Sequence, residues 1–158
     1  MPGDASVHAR LADSVRRLVD LTIRTEVEQS VIEAATSRID DVSRRLSAAL
    51  MPGPFGVREL SDGQSRASGN VVIGVRNAMA LPLVIHHDPD TRSVWTEFIL
   101  GAAYEGPPGH VHGGICAMIL DHVLGAPAHL PDKPAYTGTL TTKYLRPTRL
   151  NWPLRAAA

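Results

Sequence analysis

The chain has a single cysteine, Cys116, among 158 residues, so it cannot close an internal disulfide. That fits a reducing compartment and leads to the expectation of a cytoplasmic protein. It also lacks an excess of either charge, with 16 Lys plus Arg against 16 Asp plus Glu. A general nucleic-acid or membrane-surface binder needs clustered basic charge, so neither partner is expected. No run approaches the roughly 18 consecutive apolar residues of a membrane-spanning helix. Asp4, His8 and Arg10 precede any apolar stretch, which does not read as a signal peptide. Repeats and low-complexity tracts are absent.

What is present begins with helix. Residues 4–50 carry apolar positions three or four apart, namely Val27, Val31, Ala35, Ile39, Val42, Leu46 and Leu50, after an earlier stripe of Leu11, Val15, Leu18 and Val19. The β-branched Thr22, Ile23 and Thr25 mark a break between two helices. Met51-Pro-Gly-Pro54 stops the second, because proline lacks the N–H that would continue it. Residues 1–54 therefore read as a helical extension used for packing or dimerisation.

Residues 55–158 read differently. Leu83–His87 has strand character and is ended by Asp88-Pro-Asp90. Val94–Tyr104 alternates Thr96, Phe98 and Leu100 against Trp95, Glu97 and Ile99, as a strand does. A helix opens near His112 and is ended by Gly125, Pro127 and Pro131; Tyr136–Leu145 follows as a further expected strand. The pattern indicates an α+β fold with an antiparallel sheet packed on one helix. That helix is apolar on nearly all faces, so a second surface is expected to cover it.

The chemistry concentrates in Gly106-Pro-Pro-Gly-His-Val-His-Gly-Gly-Ile-Cys-Ala-Met-Ile-Leu-Asp121. Gly113 and Gly114 leave backbone N–H groups uncovered at a helix N-terminus, where negative oxygen is welcome. Asp121 sits in the greasy body of that helix, where a carboxylate is costly without a partner. An anion-friendly turn and an embedded carboxylate are the parts that carbonyl chemistry needs. A structural carboxylate bonded to a helix end or to His122 is the plainer alternative.

Tyr104-Glu-Gly-Pro-Pro-Gly-X-Val-His-Gly-Gly, with Asp121 nine residues past His112, resembles the signature of the hotdog-fold acyl-CoA thioesterases. It is closest to the phenylacetate-pathway (PaaI-like) branch and the related long-chain acyl-CoA thioesterases. Tyr136-Thr-Gly-Thr-Leu and Tyr144-Leu-Arg-Pro147 match the same group, over roughly residues 81–155. The resemblance implies a curved antiparallel sheet wrapped around a central helix, and a homodimer or dimer of dimers with sites at the interface. It implies that the Gly113 N–H and His112 hold the thioester oxygen, with Gly114 beside them. Asp121, given across the interface, would act as general base or nucleophile, and Thr137 would position the water. The substrate would be an acyl-CoA, with no cofactor beyond the coenzyme A it carries. Some relatives carry Asn or Gln six residues before the histidine, where this chain has Gly106. A hotdog sheet also needs two strands after the Arg146-Pro147 turn, so the domain over 55–158 is expected to lack its last strands.

Other readings compete. Lys143, Arg146 and Arg149 suit the phosphates of coenzyme A, or form an ordinary solvated strand end. His110-Val-His112, His86-His87, Asp121 and His122 invite a metal reading, but the glutamate of cupin-type motifs is missing and no metal is expected. Cys116 lacks a basic partner and reads as packing. A non-catalytic hotdog dimer that binds acyl-CoA or a protein is the alternative function. A hotdog hydratase is disfavoured, since His87-Asp-Pro-Asp90 is not the Asp-X-Asn-Pro-X-His pattern.

Overall fold

The computed structural model describes residues 5–59, 65–91, 93–128 and 135–158. Two helices open the chain, α1 (Ala5–Arg24) and α2 (Gln29–Leu46), and the break between them spans residues 25–28, so that Thr25 falls in it while Thr22 and Ile23 lie within α1. α2 ends a turn before the Pro-Gly-Pro cluster, where Ser47 turns back and its hydroxyl donates to the Arg44 carbonyl at 2.8 Å. None of its side chains is buried. α1 is fastened to the body on the face of the buried Ala12 and of Arg16, which leaves its Leu11–Val15–Leu18 stripe partly in solvent.

A two-residue ribbon, β1 (Arg58–Glu59) with β2 (Ser65–Arg66), precedes the main sheet. That sheet holds β3 (His86–Asp88), β4 (Ser93–Phe98) and, from the far end of the chain, β5 (Leu154–Ala157), antiparallel in the order β3-β4-β5. The β4–β5 register sets Trp95 opposite Ala157 and Phe98 opposite Leu154. β4 alternates as its sequence requires: Val94 and Thr96 are buried, and Glu97 is exposed. It ends at Phe98, before a 3-10 turn at Ala102–Tyr104, so the expected strand over Val94–Tyr104 is shortened.

The helix α3 (Gly113–Gly125) lies on this sheet, burying Ile119 and Val123 against β4 and β5. Val72, Leu83, Val94, Leu100, Val111 and Ala156 complete the core. Pro127 falls in a closing 3-10 turn, and Pro131 lies outside the described residues. Thr96 sits in this core with a buried hydroxyl that has no hydrogen-bond partner among the described residues.

One expectation is overturned. Tyr136–Leu145 forms no ladder among the described residues, and Tyr136 and Leu145 are 90% and 78% exposed. A strand exists only when a second backbone edge pairs with it, and β4 is already flanked by β3 and β5. Two side-chain bonds tie this segment to α3 instead. No described helix is long and apolar enough to cross a membrane.

Candidate active site at the ends of the central helix

The chain reaches α3 through a tight knot. The Gly109 N–H donates to Glu105 Oε1 at 2.6 Å, and Gly109 takes a φ of 72°, a conformation that suits glycine. Gly106 N–H reaches the His110 carbonyl, and His112 N–H reaches the Tyr104 carbonyl, both at 2.9 Å. A side chain on Gly106 would put its Cβ 2.7 Å from the His112 Cα. The loop therefore packs directly against the backbone of His112, which leaves no room for a side chain at position 106.

The first amides of a helix have no partners within it. Here the Gly114 N–H donates to His112 Nδ1 at 3.0 Å, and those of Ile115 and Cys116 reach the His112 carbonyl. The Gly113 N–H finds no acceptor among the described residues. Because Nδ1 accepts, the neutral imidazole carries its proton on Nε2 and offers a second outward donor. Tyr144 braces the turn, its hydroxyl donating to the Gly113 carbonyl at 2.9 Å. Its ring lies so close that a Cβ on Gly113 would come within 3.3 Å of it. Sequence reasoning gave Tyr144 no role, although it opens the quoted Tyr-Leu-Arg-Pro motif.

Asp121 is half-buried near the other end of α3. Its Oδ1 accepts from the Thr137 hydroxyl at 2.6 Å, so the structure joins these two expected residues. Gly113 and Asp121 are not joined. Eight residues separate them, about 12 Å along a helix rising about 1.5 Å per residue.

A cleft of about 330 Å³ opens beside Gly113, lined by Pro107, His110, Cys116, Tyr144 and Arg146 among others. Arg146 thus reaches the site's edge. Arg149 pairs with His110 through a backbone bridge, and Lys143 is exposed. Cys116 donates to Thr148 Oγ1 at 3.7 Å. The histidines are dispersed: His86 stacks on Trp95 at 5.3 Å, and His110 Nδ1 lies 2.8 Å from the Pro108 carbonyl. No group of three His, Cys, Asp or Glu side chains is placed to hold a metal ion among the described residues.

The site thus consists of a helix packed on an antiparallel sheet, with an amide at its mouth that has no acceptor among the described residues and a carboxylate in its body. No protein-family model and no curated protein matches the chain. Among solved structures, the crystal structure of a thioesterase superfamily protein aligns with a TM-score of 0.82 at 34% identity. The match covers 99% of this chain and 77% of that one. The chain belongs to the thioesterase superfamily, and its architecture is that of the hotdog fold.

Proposed function

We propose that the protein is an acyl-CoA thioesterase of the PaaI-like branch, releasing a free acid and coenzyme A. The carrying observation is the Gly113 N–H, without an acceptor among the described residues, at the mouth of the helix that bears Asp121. Thioester hydrolysis builds negative charge on the carbonyl oxygen. A fixed amide and the His112 Nε2–H stabilise that charge without having to reorganise.

Asp121 takes a proton from water, whose oxygen bonds to the carbonyl carbon as the C–S bond breaks; the proton then passes to the leaving thiolate. In the covalent variant the carboxylate attacks the carbonyl carbon as the C–S bond breaks, and water then hydrolyses the resulting anhydride, its released proton passing to the expelled thiolate. Thr137, bonded to the carboxylate, orients it and the water. Water is the only co-reactant. Arg146, at the edge of the Gly113 cleft, suits a phosphate of coenzyme A, with Lys143 and Arg149 further out.

The separation of Gly113 from Asp121 calls for a second copy. With two α3 helices antiparallel, the His112–Gly113 turn of one faces Asp121 of the other, and the apolar helix gains the cover it lacks. A homodimer or dimer of dimers follows from this reading. Thiol release from acyl-CoAs of graded length, with Asp121→Asn as control, tests it. Saturable binding without thiol release would favour the non-catalytic dimer.

A further inference from the structure

A second cavity, of about 820 Å³, lies between α1 and α3. Val15 and Val19 of α1 form one wall; Ile115 and Met118 of α3, with Val71 and Tyr104, form the other. Its lining is overwhelmingly apolar, and its volume falls within the roughly 300–1,000 Å³ of small-molecule sites. The charged groups at its margin, Arg16, Arg17 and Asp20, all come from α1.

α1 is latched in place over this space. Arg16 donates from Nε to the Ala80 carbonyl at 2.8 Å and from its terminal nitrogen to the Asn77 carbonyl at 3.1 Å. Asp13 pairs with the same guanidinium. The latch holds the helix backbone while Val15 and Val19 stay partly uncovered, facing the cavity rather than filling it.

We propose that this cavity receives the hydrocarbon part of the acyl group, and that α1 selects its length. The proposal rests on the thioesterase reading for the word acyl, though not for the chamber itself. Met118 and Asp121 stand three residues apart on α3, neighbours on the helix surface, so the chamber begins beside the carboxylate. A thioester whose carbon sits at Asp121 can lay its chain past Met118 beneath α1. Its polar coenzyme half is left outside, since the walls past Met118 are apolar and the cavity's only charged groups stand at its margin on α1. Burial of methylenes against Val15, Val19, Ile115 and Met118 supplies the affinity, and the far wall sets the limit on length.

The test combines binding with turnover on the full chain. Dodecanoate should displace cis-parinaric acid from the wild-type protein in a saturable fluorescence titration. Val19→Trp, which fills the chamber from α1, should weaken dodecanoate about tenfold or more. It should lower the ratio of kcat/KM for dodecanoyl-CoA over acetyl-CoA by a similar factor. Arg16→Ala, which releases the latch, should weaken dodecanoate as well. Val15→Phe probes the same wall with a smaller change should Val19→Trp fail to fold by circular dichroism.

Absence of saturable displacement from the wild type overturns the chamber, whether or not acetyl-CoA is cleaved. So does an unchanged affinity and length ratio in the folded wall variants. A changed oligomeric state by light scattering with unchanged dodecanoate affinity makes the cavity a contact between copies and also overturns it. Dodecanoate binding that the wall variants weaken, with no cleavage of any thioester, leaves the chamber standing and removes the thioesterase reading instead.

Discussion

Thr137 and Asp121, sixteen residues apart in sequence, are joined by a hydrogen bond of 2.6 Å from the threonine hydroxyl to the carboxylate. With the Tyr144–Gly113 bond, it links a largely exposed segment to the central helix. Asp121→Asn should lower thioester turnover by about 10²–10⁴ if the carboxylate is a general base, and by more if it is the nucleophile. Thr137→Ser keeps the hydroxyl and should retain most activity, whereas Thr137→Val should lose about tenfold. Steady-state hydrolysis of acyl-CoA by the folded variants reads both effects, and near-normal turnover by Asp121→Asn would remove it from the mechanism.

Gly106 and His112 make the second prediction. A Cβ at 2.7 Å from the His112 Cα cannot be accommodated unless the loop moves. Gly106→Ala should cost about 1–3 kcal/mol of stability by overpacking and lower turnover by displacing the Gly113 amide. Denaturant unfolding together with kinetics checks it; an unchanged midpoint and rate would show that the loop is not packed this way.

Sharing of the site between copies is tested by mixing. An Asp121→Ala subunit and a His112→Ala subunit, each inactive alone, should regain part of the activity after exchange. In a C2 dimer with one carboxylate and one turn per site, half of the sites in each heterodimer are intact. Exchange confirmed by mass spectrometry without any recovery counts against the shared site.

The hydroxyl of Thr96, without a partner among the described residues, is a defect that can be repaired. Thr96→Val removes a buried polar group and should stabilise the protein by about 1 kcal/mol, raising Tm by about 2–4 °C. A lowered Tm would mean that the hydroxyl has a partner in solution.

Tyr104, in the wall of the large cavity, has its phenol pushed above the ordinary tyrosine value by burial, which outweighs the opposing pull of Arg16. A raised folded-state value means that the folded protein holds this proton longer than the unfolded chain does. Its contribution to stability is therefore complete below about pH 10, the unfolded value, and is lost as pH rises through the folded one. Phenolate absorbance in a titration of wild type against Tyr104→Phe should show the missing transition to be the late one.

The sequence alone was enough for the helical periodicity of α1 and α2, the break between them, the alternation of β4 and the opening of α3 at His112, because each is local. Spacing of apolar side chains and the chemistry of glycine and proline act over a few residues. The His112-Gly113-Gly114 turn was legible for the same reason, but of the two amides expected to be uncovered the Gly114 N–H is taken by the His112 ring. The family resemblance added Thr137 to the same site as Asp121, as the residue that positions the water; the direct bond between them is visible only in the structure.

Tertiary structure decided the rest. Tyr136–Leu145 has the composition of a strand, yet composition does not provide a neighbouring edge, and the segment is held by Thr137 and Tyr144 instead. β5 pairs with β4 across more than fifty residues of chain, and only the closed sheet makes that register visible. The brace from Tyr144 to Gly113, the steric demand on Gly106 and the latch from Arg16 to Asn77 and Ala80 all join distant segments. Such contacts depend on where the whole chain closes, so periodicity cannot announce them. The chamber between α1 and α3 is the largest case: its walls are single apolar residues whose alignment exists only in three dimensions.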